Sequence, residues 1–271
     1  MNEPSGQANR PHGRRWSFGV VLIAALIPLI PLVAGFILTS TGANAGTVSS
    51  GAFKSVAKAP ATTPHTVADR LPPGSGALVV LVTRNTVMRT APGGHVFARI
   101  GTRTEFGSPT AFWVVQHSPK WLGVVSPEAG NGRIGWIPRS ATSLGRVDWV
   151  LRVSLSARRL TVIENGKVRE RFTVAIGQPA APTPTGRFAV TDRLATHDPT
   201  GPYGCCILAL SAEAPHAIQD WNGGNRIAIH STPDTGSIGQ AVSHGCLRLT
   251  LAEGQWLLDH IPLGTPTYIR T

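Results

Sequence analysis

From Ala77 to Arg270 the apolar residues fall mostly in short runs that alternate with polar ones and stop at glycine, proline, asparagine or serine. A period of two buries one face of a strand and leaves the other in water, and a helix cannot satisfy it. The chain is therefore predicted to be mostly β. Between 77 and 144 the runs are "ALVVLVT", "HVFARIG", "AFWVVQHS", "WLGVVSP" and "RIGWIPR", broken by "APGG", "GSPT" and "AGNGR". Strands this short, at this spacing, predict a small antiparallel barrel. Further on, Val150, Val153, Leu155, Leu160, Val162, Phe172, Val174 and Ile176 alternate around Asn165-Gly166, the turn signal of a hairpin. One helix signal stands out: Thr250, followed three positions later by Glu253, forms a capping box ahead of "LAEGQWLLDHI".

The 271 residues, 42% of them hydrophobic, suffice for one substantial core or two modest ones. The net charge of +11 is uneven: residues 1–75 carry six Lys/Arg against two acids, 76–145 seven against two, and 146–271 twelve against ten. No basic run with interleaved aromatics accompanies the excess, so nucleic acid is not the expected partner. A basic surface facing an anionic polymer or a membrane fits better. Residues 18–38, "FGVVLIAALIPLIPLVAGFIL", are uncharged and match the hydrocarbon thickness of a bilayer, with Arg10, Arg14 and Arg15 before them. That asymmetry predicts a cytoplasmic N-terminus and export of the remainder. The small residues "ANA" at 43–45 leave open a cleaved, secreted form beside a membrane-anchored one. The expected organisation is a stub and anchor over 1–45, a flexible Pro/Ser/Thr-rich tether over 46–76, one β domain over 77–145 and a second over 146–271.

"AVSHGCLRLT", residues 241–250, raises the chemical question, because Cys246 is one of only three cysteines. A buried inert thiol is the plain reading, since free cysteine is often buried. The polar, flexible "SHGC" argues for a nucleophile, with Gly245 allowing the backbone close to a ligand. Sixteen residues earlier, "RIAIHST" puts Ala228 and His230 on one strand face and Ile227 and Ile229 on the other. A histidine at a rigid strand end is the usual base for a cysteine that must become thiolate.

"IAIHSTPDTGSIGQAVSHGCLRL" resembles the signature of the L,D-transpeptidase (YkuD-type) catalytic domain. The likeness covers nearly all of 146–271, including the Thr-Pro-x-Gly element at Thr183 to Gly186 and the "LGTPTYI" end. One departure is His230-Ser231-Thr232, where members of that family often have His-Gly-Thr. The first β domain resembles a bacterial SH3-like module through "NTVMRTAPGG", "KWLGVV" and "GRIGWIP", although Trp113, Trp121 and Trp136 are expected mainly to pack. The transpeptidase resemblance implies a β-sandwich or barrel with a C-terminal helix. Cys246 would be the nucleophile and His230 its base, oriented by the Ser231 carbonyl. Backbone N–H groups of His244, Gly245 and Cys246 would receive the oxyanion. Ser243 and His244 would shape the loop, with Ser243 and Arg248 on the substrate side. For Arg248 a structural ion pair is an equal alternative. The implied substrates are peptidoglycan stem peptides, carbapenem-type β-lactams would acylate the cysteine, and no cofactor is required.

Rival readings give the same residues other work. His230, His244 and Cys246, with His216 or Cys205, could ligate zinc, but no Cys-x-x-Cys or His-Glu-x-x-His element is present. The chain could be an inactive wall-binding or scaffolding protein, or a carboxypeptidase that uses water as acceptor. Adjacent Cys205 and Cys206 are expected to be reduced, partly buried thiols, because a vicinal disulfide strains its ring and is rare. Their segment, "DPTGPYGCC", is expected to lie over the cleft as a lid. His95, His117, His197, His216 and His260 have no partner pattern and default to surface or structural roles.

Overall fold

The computed structural model describes residues 76–215 and 224–271. The apolar span 18–38, the tether as far as residue 75, and His216 lie outside the described residues. The first β unit holds strands β1 (Ala77–Val82), β2 (Thr86–Arg89), β3 (Val96–Ile100), β4 (Ala111–His117), β5 (Trp121–Val125), β6 (Gly135–Pro138) and β7 (Thr142–Val147). They form one antiparallel sheet in the order β3-β2-β6-β5-β4-β1-β7. Strand β7 has no apolar stripe to announce it. Four of its six positions are exposed, and it forms by backbone pairing with β1 from Ala77↔Val147 to Val82↔Thr142. The inward positions Val80, Met88, Phe112, Leu122, Val124 and Ile137 make an apolar core.

The second unit is built on β8 (Trp149–Ser154), β9 (Arg159–Glu164), β10 (Lys167–Thr173), β12 (Gly186–Ala195), β13 (Cys206–Glu213), β14 (Arg226–Ser231), β16 (Leu247–Leu249) and β17 (Pro266–Arg270). Their order is β10-β9-β8-β17-β12-β13-β14-β16, and a separate parallel pair joins β11 (Ile176–Gly177) to β15 (Ala241–Ser243). The β9–β10 hairpin turns at Asn165 and Gly166, both at positive φ (51° and 74°), as an Asn-Gly turn requires. One assignment shifts: β8 buries Leu151 and Val153 and leaves Val150 half-buried, because the period-two phase set by Val153 runs through 151.

Helix α1 (Leu251–His260) starts directly after β16. Thr250 Oγ1 accepts from Glu253 N at 3.3 Å while Glu253 Oε2 accepts from Thr250 N at 2.9 Å, so two of the orphan donors at the helix start are satisfied. The two β units are docked on each other. Trp113 meets Tyr268 edge-on at 5.5 Å, and the Asn131 amide exchanges two hydrogen bonds with the Glu213 backbone, at 2.7 and 3.0 Å. Arg226, almost fully buried, pairs with Glu105 of the first unit and donates to Leu210 O. The molecule is mostly β with a single α-helix among the described residues, the class that the alternating pattern predicts.

Candidate active site

Strands β14 and β16 are parallel neighbours in the register Ile229↔Leu247 and His230↔Arg248, and Cys246 immediately precedes Leu247. Alternation divides the two strands chemically. Ile227, Ile229, Leu247 and Leu249 face the main core with Leu208, Leu210 and Leu257 of α1. On the opposite face Ala228, Cys246 and Ile207 form a smaller cluster against Leu194 and Tyr203. His230 and Arg248 share that second face by register. Elements 16 residues apart in sequence thus deliver an imidazole and a thiol to one surface of one sheet.

His230 is 2% exposed and Cys246 7%. The imidazole Nδ1 lies 2.8 Å from Ser231 O, so Nδ1–H donates to that carbonyl and Nε2 is left as the proton acceptor. Burial is the main force on both groups. It lowers the His230 pKa to about 4, with Arg248 acting in the same direction and the Ser231 hydrogen bond opposing. It raises the Cys246 pKa to about 11, against a backbone hydrogen bond from Ala228 and the charge of Arg248. The unliganded pair is therefore a neutral thiol beside a neutral imidazole. Desolvation outweighs both contacts that would stabilise a thiolate, so the proton has to leave sulfur during the reaction.

Ser243 organises the turn before Cys246. Fully buried, its hydroxyl donates to Cys246 O at 2.6 Å and accepts from Gly245 N at 3.1 Å. Two expectations change with it. Ser243 is spent inside the loop, so it has no surface to offer a substrate, and the Gly245 N–H is committed to it and not held ready for an oxyanion. Gly245 sits at φ +113°, and a side chain there would come within 2.7 Å of Ile227 Cδ1, so only glycine fits. Thr183 reaches across from the Thr-Pro-x-Gly element, donating to Gly245 O at 2.8 Å and accepting from Gly177 N at 2.9 Å. His244 is exposed at the tip of the turn.

Arg248 is half-buried, and its Nε is a buried donor with no hydrogen-bond partner. Among the described residues no carboxylate forms an ion pair with it; the recorded pairs use Arg169 and Arg226. The structural ion pair set against a substrate role is thus not made within the described residues. Tyr203 is a residue that sequence reasoning missed. Its ring meets His230 edge-on at 5.0 Å, and its pKa is raised, first by burial and next by Cys246. The only hint in the sequence was the position of "GPYGCC" ahead of the next strand.

Cys205 and Cys206 form a disulfide, contrary to the expected pair of free thiols. Gly204, at φ +54°, turns the chain just ahead of the pair, and Cys206 N donates to Ser231 Oγ at 3.2 Å, so the segment lies against the end of β14. With Cys205 taken up in that bond, the zinc alternative loses one ligand, and its other optional ligand, His216, lies outside the described residues. Among the described residues no cluster of three or more His, Cys, Asp or Glu side chains is gathered.

Residues 148–269 match the family model described as YkuD, L,D-transpeptidase catalytic domain. YkuD of Bacillus subtilis is 32% identical over 119 residues, which are 44% of this chain and 64% of that protein. L,D-transpeptidase 1 of Mycobacterium tuberculosis is 32% identical over 124 residues, 42% of this chain and 47% of that protein. The chain thus spans just under two thirds of the first relative and about half of the second. A crystal structure of L,D-transpeptidase 3 from Mycobacterium tuberculosis in complex with a faropenem-derived adduct is 19% identical, covers 51% of this chain and 73% of that one, and superposes with a TM-score of 0.36. The sequence matches support a YkuD-type L,D-transpeptidase catalytic domain over residues 148–269, the segment that holds His230 and Cys246.

Proposed function

We infer that the protein is a peptidoglycan L,D-transpeptidase in which Cys246 is the nucleophile and His230 the general base. One observation carries the reading: a thiol and an imidazole share one sheet face, with the imidazole Nδ1 tied to Ser231 O so that Nε2 is the free acceptor. Because both groups are neutral at rest, the proton leaves sulfur for Nε2 as sulfur attacks. The attacked carbon is the carbonyl of the diamino acid that precedes a terminal D-alanine. Its oxygen becomes an oxyanion, for which the N–H groups of His244 and Cys246 are the candidate donors, since that of Gly245 is engaged by Ser243. Collapse expels D-alanine, whose nitrogen takes the proton from His230, and leaves a thioester on Cys246. The side-chain amine of a second stem then attacks the thioester, forms the new amide and returns the proton to sulfur.

Arg248, with its unpartnered Nε, is the group that holds a stem carboxylate. Carbapenem-type β-lactams enter the same chemistry as strained acyl donors. The N-terminal span 18–38 would keep the domain at the outer face of the membrane, and the SH3-like pattern of the first unit suits a module lying against the wall. The test is incubation with a purified disaccharide carrying a tetrapeptide stem. The wild type releases D-alanine and forms dimers, and Cys246→Ala does neither. Release by Cys246→Ala at the wild-type rate would remove the cysteine from the mechanism.

A further inference from the structure

Ser231 follows His230 on β14, so its side chain projects to the opposite face, toward α1. There it is fully buried between two glycines. A Cβ on Gly254 of the helix would lie 2.7 Å from Ser231 Cβ, and a Cβ on Gly204 would lie 2.5 Å from Ser231 Oγ. The hydroxyl is held by one short turn: it donates to Tyr203 O at 3.3 Å, accepts from Cys206 N at 3.2 Å and lies 3.4 Å from Cys205 Sγ. The turn therefore passes round the end of β14, fastened by its backbone on the helix side, with the Tyr203 ring returning to the histidine side. Further back, Thr196 ties the start of the same loop to its end, through Thr196 N to Cys205 O at 2.8 Å and the Thr196 hydroxyl to Gly204 O.

We propose that the Ser231 hydroxyl is a positioning residue that clamps the Tyr203–Cys206 turn and so holds the Tyr203 ring on the His230 imidazole. The proposal builds on the reading of His230 as base and assigns work to a side chain that the commoner His-Gly-Thr pattern lacks. A glycine could donate to neither the Tyr203 carbonyl nor accept from the Cys206 amide. Facing His230 are Arg248 on β16, Cys246 just ahead of that strand, Tyr203 on the turn and the apolar Ile207 on β13. On the α1 side, Glu253 is engaged with Thr250 in the cap. The Tyr203 ring is thus one of the walls that keep water from the imidazole, and loosening the turn lets water in. Rehydration favours the charged imidazolium, so the His230 pKa must rise from its depressed value toward the ordinary one.

The experiment is an NMR titration of the His230 ring, assigned by the signal lost in His230→Gln, in the full chain and in its Ser231→Ala and Tyr203→Leu variants. Both variants are expected to raise the His230 pKa by about one unit or more, and the double variant no further than either alone. Acylation of Cys246 by a carbapenem, followed by intact mass, should show its acidic limb moving up by the same amount. Tyr203→Leu leaves the buried serine in place, so the clamp is still tested if Ser231→Ala folds poorly. An unmoved His230 pKa in Tyr203→Leu, or in a folded Ser231→Ala that merely melts earlier, overturns the clamp. Absence of any Cys246 adduct in the wild type would instead count against the transpeptidase reading, because the ring titration reports the clamp without catalysis.

Discussion

The two β units differ in what they bury. The first packs Val80, Met88, Phe112, Leu122, Val124 and Ile137, and its buried polar side chains are confined to Thr110 and Ser126 among the described residues. The second buries His230, Ser231, Thr232, Ser243, Thr183, Asp192 and Arg226 along with its aliphatic core. Buried polar groups add little net stability and cost heavily when one partner is lost. The contrast teaches that the first sheet is held by apolar burial and backbone pairing, whereas the second spends part of its interior on holding a thiol, an imidazole and a turn in fixed relation.

The sharpest way to break that contrast is Cys246→Ala. It is expected to abolish D-alanine release and β-lactam adduct formation while the melting temperature stays near that of the wild type; a large loss of stability with residual activity would make Cys246 a packing residue. Next in size is His230→Gln, which removes the base and should slow acylation about 10²- to 10⁴-fold at neutral pH, measured by intact mass against time. In the first sheet, Leu122→Ala should cost about 2–5 kcal/mol in denaturant unfolding, yet leave the acylation rate per folded molecule unchanged. A matching loss of rate would show that the docked units share one functional core.

The pH dependence of stability separates the units further. The unfolded chain protonates His230 near its ordinary value of 6.5, while the folded protein resists until about pH 4. Stability from this group is complete above pH 6.5 and falls as the pH drops toward 4, by on the order of 3 kcal/mol. Cys246 gives the mirror image: unfolded thiols ionise near 9 and the folded one near 11, so stability declines as the pH rises through that window. Unfolding midpoints across pH 4 to 7 should flatten in His230→Gln; an unaltered slope would place the acid sensitivity elsewhere. The smallest effect is expected from Ser243→Ala, about 1–3 kcal/mol, since it leaves the Gly245 N–H and the Cys246 carbonyl without their partner.

What the sequence made legible were features written in neighbouring residues. The Asn165-Gly166 turn and the Thr250–Glu253 cap need only four consecutive positions, and both form. The two faces of β14 follow from alternation alone. Strand β7 escaped because its partner β1, not its own composition, makes it a strand. The Tyr203–His230 contact and the Ser231 clamp escaped because they join residues 25 to 28 positions apart across a turn that carries Gly204 at positive φ. The Arg226–Glu105 pair links residues 121 positions apart and has no local signal at all. The depth of burial, which pushes the His230 pKa down and the Cys246 pKa up, has no local signal either.

The account is tested most directly by trapping the acyl-enzyme formed with a tetrapeptide-stem donor and mapping it by peptide mass. A stem acyl group lacking its terminal D-alanine, found on the peptide containing Cys246 and absent from Cys246→Ala, is the predicted result. D-alanine released without any adduct at Cys246, or an adduct carried elsewhere in the chain, would contradict it.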